Sequence, residues 1–406
     1  MTETQISQPK ISCKNLWKVF GPSPRHALSV VTDTMNKEEI LDQTGHVIAI
    51  RNVSFDILEG EVFMIMGLSG SGKSTLARCL NGLIKPTRGQ VLLDGIDLAT
   101  MNEAELRMAR RHKVSMVFQH FALFPHRSIL ENAAYGLELQ GLDKGLRQKK
   151  AREVLDLVGL RGWENSYPDE LSGGMQQRVG LARALALDPE ILIMDEPFSA
   201  LDPLIRRQMQ DEFISLVAKV RKTIVFISHD LNEALKLGTK VAIMKDGEIV
   251  QLGTPEEIVS APSNEYVAQF VCDVSHDKVL PVRSIMRKPE LKLYASQKLR
   301  AALQVMEVKG IDQAFVVNSQ DRLMGVIKAD DISQALTRNC TTLDEITIER
   351  APMVGPDQPI GEVTPLTAAC DNTVAVVDGD EKLIGEVPRV VLLRALAGKE
   401  NPHGTV

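Results

Sequence analysis

A glycine-rich turn, an acidic pair and a histidine hold most of the chemistry in this 406-residue sequence. GLSGSGKST at residues 67–75 fits the phosphate-loop pattern G-x-x-x-x-G-K-[ST] and stands between the apolar run VFMIM and a helical stretch starting near Lys73. Gly67, Gly70 and Gly72 let backbone amides turn inward around phosphate oxygens, beside a positive helix N-terminus. Ser69, Ser71 and Thr75 belong to the same loop. Lys73 can place its ammonium between β- and γ-phosphates, and the Ser74 hydroxyl can reach Mg²⁺, so a nucleoside triphosphate and Mg²⁺ are the expected ligands. In ILIMDEP (191–197), Asp195 would hold Mg²⁺ through water, and Glu196 would orient or deprotonate an attacking water. His229, at the strand end IVFISHD, could approach the γ-phosphate from the other side.

These residues need a scaffold. ISCKNLWKVF (11–20), VIAIRNVSFDI (47–57), VFMIM, ILIMD, TIVFIS and VAIMKDGEIV read as strands, and the region from about 100 to 188 as mainly helical, with breaks at Pro125 and Pro168. Apolar strands alternating with helices imply a mostly parallel sheet covered on both faces, with ligands at its carboxyl edge. Residues 21–47 are a polar insert, with a short helix expected at 37–41.

Composition narrows the class. With 44% hydrophobic and 25% charged residues and a net charge of −6, the chain reads as soluble and globular, and nucleic acid is not an expected partner. The cysteines Cys13, Cys79, Cys272, Cys340 and Cys370 are odd in number and scattered, which favours reduced thiols over disulfides or zinc. The opening MTETQISQPK lacks the apolar core of a secretory signal, and no run of about 18 apolar residues suggests a membrane span.

A repeat marks the C-terminal part. AFVVNSQDRLMGVI (314–327) matches VAVVDGDEKLIGEV (374–387) at a constant offset of 60, each copy reading strand, turn, strand, helix. One copy would leave an apolar sheet face exposed, so two should pack together. Residues 276–406 carry 16 Lys/Arg against 18 Asp/Glu, which argues against a strongly cationic membrane-sensing surface.

Residues 67–75, Gln119, LSGGMQQR (171–178), 191–202 and His229 together resemble an ATP-binding-cassette (ABC) ATPase across about residues 11–270. The resemblance implies an α/β P-loop domain with a mixed, mostly parallel sheet and a helical subdomain at about 120–180. It assigns Gln119 to magnesium and permease sensing. Ser172, Gly173 and Gly174 would contact the γ-phosphate of a partner chain, and Ser199-Ala200-Leu201-Asp202 would join the two sites of a homodimer. An aromatic side chain usually stacks on adenine in this family; Phe20 fits best, with Trp17 as the alternative.

The insert ending EEILDQTGHVIAI, the run FSALDPLIR (198–206) and the repeat also resemble the ATPase subunit of glycine betaine/proline betaine importers. The repeat looks like a tandem pair of cystathionine-β-synthase-type (CBS) βαββα modules. The expected organisation is then a cassette at 1–272, repeats at 276–338 and 341–397, and a tail at 398–406. The CBS adenosine motif Gly-x-[Ile/Val]-[Ser/Thr]-x-x-Asp is incomplete: Lys328 replaces the hydroxyl residue in the first copy, and Pro388 and Val391 replace hydroxyl and acid in the second.

The resemblance implies membrane permease subunits as partners, a solute-binding protein acting indirectly, and a peripheral location on the cytoplasmic face of the bacterial inner membrane. Choline, carnitine, proline or another amino acid are alternative cargoes. A soluble, non-transport ABC ATPase is the alternative from another class.

Overall fold

The structure is a computed structural model. It describes residues 8–32, 35, 37–119, 122–199, 201–220, 222–272, 280–338, 340–346, 348–369 and 373–396, without the side chains of 218–220, 368 and 369. Ala200, Cys370, residues 276–279 of the first repeat, the 398–406 tail and insert residues 33, 34 and 36 lie outside the described residues. The chain divides into two compact units, Met1–Cys272 and Asp273–Val406.

The first unit contains two sheets. β1 (Ile11–Phe20) and β2 (Val47–Ile57) flank the insert, which forms α1 (Pro24–Val30) and α2 (Lys37–Thr44). Val19, Ala27, Ile40 and Ile48 make a small core beneath these helices, with Trp17 packed against it. After β3 (Val62–Met66) and α3 (Lys73–Leu80), β4 (Arg88–Leu93) and β5 (Ile96–Asp97) complete an antiparallel sheet ordered β2-β1-β4-β5.

Next come α4 (Glu103–His112), β6 (Val114–Val117), α5 (Ile129–Leu139), α6 (Lys144–Leu157), α7 (Gly173–Leu185), β7 (Ile191–Asp195), α8 (Pro203–Val220), β8 (Thr223–Ile227), α9 (Leu231–Leu237), β9 (Lys240–Lys245), β10 (Glu248–Gly253), α10 (Pro255–Ser260) and α11 (Glu265–Val271). The second sheet runs β10-β9-β3-β8-β7-β6; β9, β3, β8, β7 and β6 are parallel, and β10 is an antiparallel edge. Every residue of β3, β7 and β8 is buried, as a strand covered on both faces requires.

Two sequence expectations change. The mainly helical 100–188 region also holds one strand that the sequence reading did not give, Val114–Val117, which forms β6 beside β7. Four residues are too few to show a strand period against the helix before them. VAIMKDGEIV is also a hairpin of β9 and β10, turned at Asp246 and Gly247, both with positive φ.

The second unit repeats one βαββα pattern: β11 (Lys292–Tyr294), α12 (Leu299–Lys309), β12 (Gln313–Val317), β13 (Leu323–Lys328) and α13 (Ala329–Thr337), then β14 (Met353–Val354), α14 (Ile360–Ala369), β15 (Val374–Val377), β16 (Leu383–Val387) and α15 (Arg389–Leu396). Each copy forms a three-stranded sheet, with Val316 opposite Gly325 and Val376 opposite Gly385. The copies meet through Phe315, Val317 and Val326 against Ala375 and Leu383. Reciprocal backbone bonds, Leu323 N–H to Glu381 C=O and Leu383 N–H to Asp321 C=O, both 3.0 Å, reproduce the 60-residue offset in space. Burying this apolar face supplies the stabilisation that a lone three-stranded sheet lacks.

The two strand glycines do not carry the same constraint. Gly325 has φ +151°, and a Cβ there would lie 2.2 Å from the Glu349 carbonyl oxygen; at Gly385 the nearest atom is Met286 Sδ at 3.0 Å. Gly325→Ala should therefore destabilise the second unit by about 2–3 kcal/mol and Gly385→Ala by less than about 1.5 kcal/mol, measured by urea denaturation. Equal losses would contradict this reading of the local geometry.

Candidate active site

The carboxyl edge of the parallel sheet gathers the phosphate loop, the acidic pair and the histidine. β3 leads into the loop, and its backbone leaves no room for side chains. Gly67 has φ +145° and Gly72 has φ +105°; a Cβ would lie 2.3 Å from Met244 O at Gly67 and 2.2 Å from Ala49 O at Gly72. Gly70 also has positive φ, at +79°. Gly72 caps α3, so the free amides of the first turn face the loop. Ser69 is exposed on the lip, Thr75 is half-buried in the first turn, and Ser71 Oγ is buried without a hydrogen-bond partner.

Lys73 is only 5% exposed and donates to Gly67 O at 2.8 Å and Leu68 O at 3.0 Å. Burial lowers its pKa, opposed by the charges of Glu196 and Asp195. Ser74, in the first turn of α3, donates its Oγ–H to Asp195 Oδ1 at 2.9 Å. Burial raises the Asp195 carboxyl pKa, opposed by the Ser74 hydrogen bond.

Glu196 follows β7 in a left-handed conformation, φ +47°. Its Oε1 lies 3.9 Å from Lys73 Nζ and its Oε2 3.3 Å from His229 Nδ1. The carboxylate thus stands between a buried ammonium and an imidazole whose side chain is 49% exposed. Such a base can accept a proton from water at a phosphate held by the loop.

The other expected site residues take different places. Gln119 is exposed two residues beyond β6, at the same sheet edge as Asp195. Ser172 caps α7 and accepts from Met175 N–H at 3.4 Å; Gly173 is exposed, while Gly174 packs against Ile205 of α8. No described hydrogen bond or ion pair joins Ser172, Gly173 or Gly174 to residues 67–75. Asp202 caps α8, accepting from Leu204 N–H and Ile205 N–H at 3.1 Å each. Phe20 is 41% exposed with Lys18 Nζ 4.9 Å from its ring centroid, whereas Trp17 packs on the insert core.

The sequence matches known proteins along nearly the whole chain. The ABC transporter family model matches residues 50–199, and the CBS domain model residues 282–338. The glycine betaine transport ATP-binding protein OpuAA of Bacillus subtilis (strain 168) is 49% identical over 98% of this chain and 95% of its own length. The chain belongs to the ABC transporter family. A second relative, the glycine betaine/proline betaine transport system ATP-binding protein ProV of Escherichia coli (strain K12), is 46% identical over 95% of this ABC ATPase and 97% of its own length. A solved dimeric ABC transporter cassette, MJ0796, covers 60% of the chain and 98% of itself at 34% identity and a TM-score of 0.51; the same cassette is also solved bound to ADP and Pi.

The structure adds residues that the sequence reading missed. Glu233, on α9 and 5% exposed, accepts from Gln210 Nε2 of α8 at 2.7 Å and from Ser228 Oγ at 2.5 Å. Ser228 immediately precedes His229 and accepts from Asp230 N–H at 2.9 Å. Arg206, one turn before Gln210, donates to the carbonyls of Ser199 at 3.4 Å and Leu201 at 3.2 Å. The loop at Ser199–Asp202, α8 and the His229 turn are therefore joined through buried polar groups. The signal was present in sequence only as ISHDLNEA, where nothing pairs Glu233 with Gln210.

Burial raises the Glu233 carboxyl pKa, opposed by hydrogen bonds from Ser228 and Gln210. A carboxyl with a raised folded pKa contributes stability at low pH that is lost as pH rises through that value. The Tm of Glu233→Gln relative to wild type should accordingly rise from about pH 4 to about pH 8; a flat difference would contradict the buried-charge reading. Glu233 touches no reacting atom, so Glu233→Ala should lower kcat roughly tenfold while KM for ATP stays within about twofold.

Proposed function

We propose that this ABC ATPase works as a homodimer that hydrolyses ATP to energise import of glycine betaine or proline betaine through separate membrane permease subunits. The observation that carries hydrolysis is the Glu196 carboxylate between Lys73 and His229. The cargo reading follows the relatives: OpuAA and ProV, both named for glycine betaine, match 98% and 95% of this chain, whereas one named for trimethylamine N-oxide in Pelagibacter ubique matches 70%.

ATP fits the loop. Lys73 supplies positive charge to the phosphates, the amides after Gly72 face them, and the partnerless Ser71 hydroxyl offers a further hydrogen bond. Phe20 offers an exposed ring for adenine. Among the described residues, no group of three or more His, Cys, Asp or Glu side chains could hold a metal on its own. The Ser74–Asp195 pair suits a hard cation that takes its remaining oxygens from water and phosphate, and Gln119 emerges at the same edge. Mg²⁺ held there would neutralise charge that develops on the phosphate oxygens.

In the proposed reaction Glu196 takes a proton as water oxygen bonds to the γ-phosphorus and the bond to the bridging oxygen breaks, giving ADP and phosphate. His229 holds the Glu196 carboxylate in place. Ser172, Gly173 and Gly174 of each chain complete the nucleotide site of the other, and Asp202 lies where the two halves meet.

Transmission to the permease is assigned to the segment FPHRS (124–128), which Asn132 holds rigid. This fully buried side chain accepts from Phe124 N–H at 2.8 Å and donates to the carbonyls of Phe124, Arg127 and Ser128 at 3.0–3.1 Å. No helix among the described residues is long and apolar enough to cross a membrane. Attachment through the permease would place the subunit on the cytoplasmic face of the inner membrane, with a solute-binding protein acting only indirectly.

Glu196→Gln should reduce steady-state ATP hydrolysis by at least about 100-fold while preserving ATP-dependent dimerisation. Normal turnover in that variant would sink the base assignment. In a strain lacking the gene and any redundant importer, uptake of labelled glycine betaine at high salt should be lost and restored by wild type but not by Lys73→Ala. Unchanged uptake in the deletion strain would defeat the cargo reading.

A further inference from the structure

The near-symmetry of the second unit breaks at one cavity. It has a volume of about 120 Å³ and is walled by both Val326 and Glu386. These residues are equivalent, 60 positions apart, each following the strand glycine of its copy. Both are buried, at 1% and 6% exposure. Valine satisfies the fold at this position, so packing does not demand a glutamate. Burying a carboxylate is costly unless a partner compensates it.

The compensation inside the protein is incomplete. Burial pushes the Glu386 carboxyl pKa up, opposed by a hydrogen bond from the Glu290 backbone, aided by the Glu290 charge and opposed more weakly by the Arg287 charge. Arg287 lines the same cavity, yet no ion pair within 4.0 Å joins it to Glu386 among the described residues. Glu290 is a further wall residue, and so is Gln313, whose Nε2 is buried without a hydrogen-bond partner. Arg287, Glu290 and Glu386, a cation and two acids, therefore line one small space.

The volume is small for a nucleoside. A cavity of about 150 Å³ takes benzene, so this one suits a molecule of roughly six to eight heavy atoms. Pro388, also in its wall, and Val391 stand where a ribose would need a hydroxyl and an acid.

We propose that this cavity binds a small zwitterion, its quaternary ammonium against Glu386 and Glu290 and its carboxylate on Arg287. The pocket's charge pattern identifies the class; naming the transported betaine as the occupant rests on the function proposed above. The second unit then reads the solute on the side where ATP is hydrolysed.

Isothermal titration of the full chain with glycine betaine tests this, with AMP as the competitor. Betaine should bind at one site per chain, and both Glu386→Gln and Arg287→Ala should weaken it at least about tenfold without changing basal ATP hydrolysis. Arg287 is exposed, so its variant keeps the test valid should Glu386→Gln unfold, as followed by circular dichroism. No betaine binding, equal binding in both variants, or AMP occupying the site in its place would overturn the proposal. A chain that supports betaine uptake without binding betaine defeats this site alone; one that binds it without supporting uptake defeats the cargo reading alone.

Discussion

The chemistry proposed for the cassette depends on one strained turn. Glu196 adopts a left-handed backbone, which costs a side-chain-bearing residue roughly 1 kcal/mol. Three hydrogen bonds hold it there: Glu196 N–H donates to Ile227 O at 3.1 Å, and Ser199 donates to Glu196 O from its N–H at 3.2 Å and its Oγ at 2.9 Å. The first ties the turn to β8, whose end carries His229; the other two tie it to the loop before α8. An extended backbone at 196 would carry the carboxylate on along β7 and out of reach of Lys73. The parallel sheet fixes the rest, since β3, β7 and β8 are neighbours and end at one edge.

The same turn opens a path away from the nucleotide. Asp202 caps α8, Arg206 holds the loop carbonyls, and Gln210 reaches Glu233 beneath Ser228 and His229. A shift of α8 cannot leave the histidine turn untouched, because the buried groups between them have no water to replace a broken bond. The second unit is built on the opposite logic. Its halves repeat the same bonds with little variation, and the few departures, Glu386 for Val326 above all, stand out as chemistry rather than architecture.

Much of this was legible in sequence where the backbone dictates residue type. The phosphate loop needs glycine at positions of positive φ, and β3, β7 and β8 need unbroken apolar runs, so both are visible locally. The repeat was visible because a 60-residue offset preserves sheet register. β6 escaped because four residues carry too little pattern. The separate antiparallel sheet escaped because pairing β1 with β4 joins residues such as Cys13 and Val91, which no local signal connects. Gln210 and Glu233 meet only once α8 and α9 are packed, and Phe20 separates from Trp17 only once the insert has covered one of them.

The Asn132 clasp has a further consequence for assembly. A loop that must order itself on docking loses conformational entropy at the moment of contact, which weakens association and slows productive encounters. Here four hydrogen bonds from one buried amide have already fixed residues 124–128 during folding. In the proposed assembly the knuckle would meet the permease ready-shaped. Affinity and partner choice can then be altered through the outward-facing side chains of the segment alone, leaving the motor beneath it unchanged.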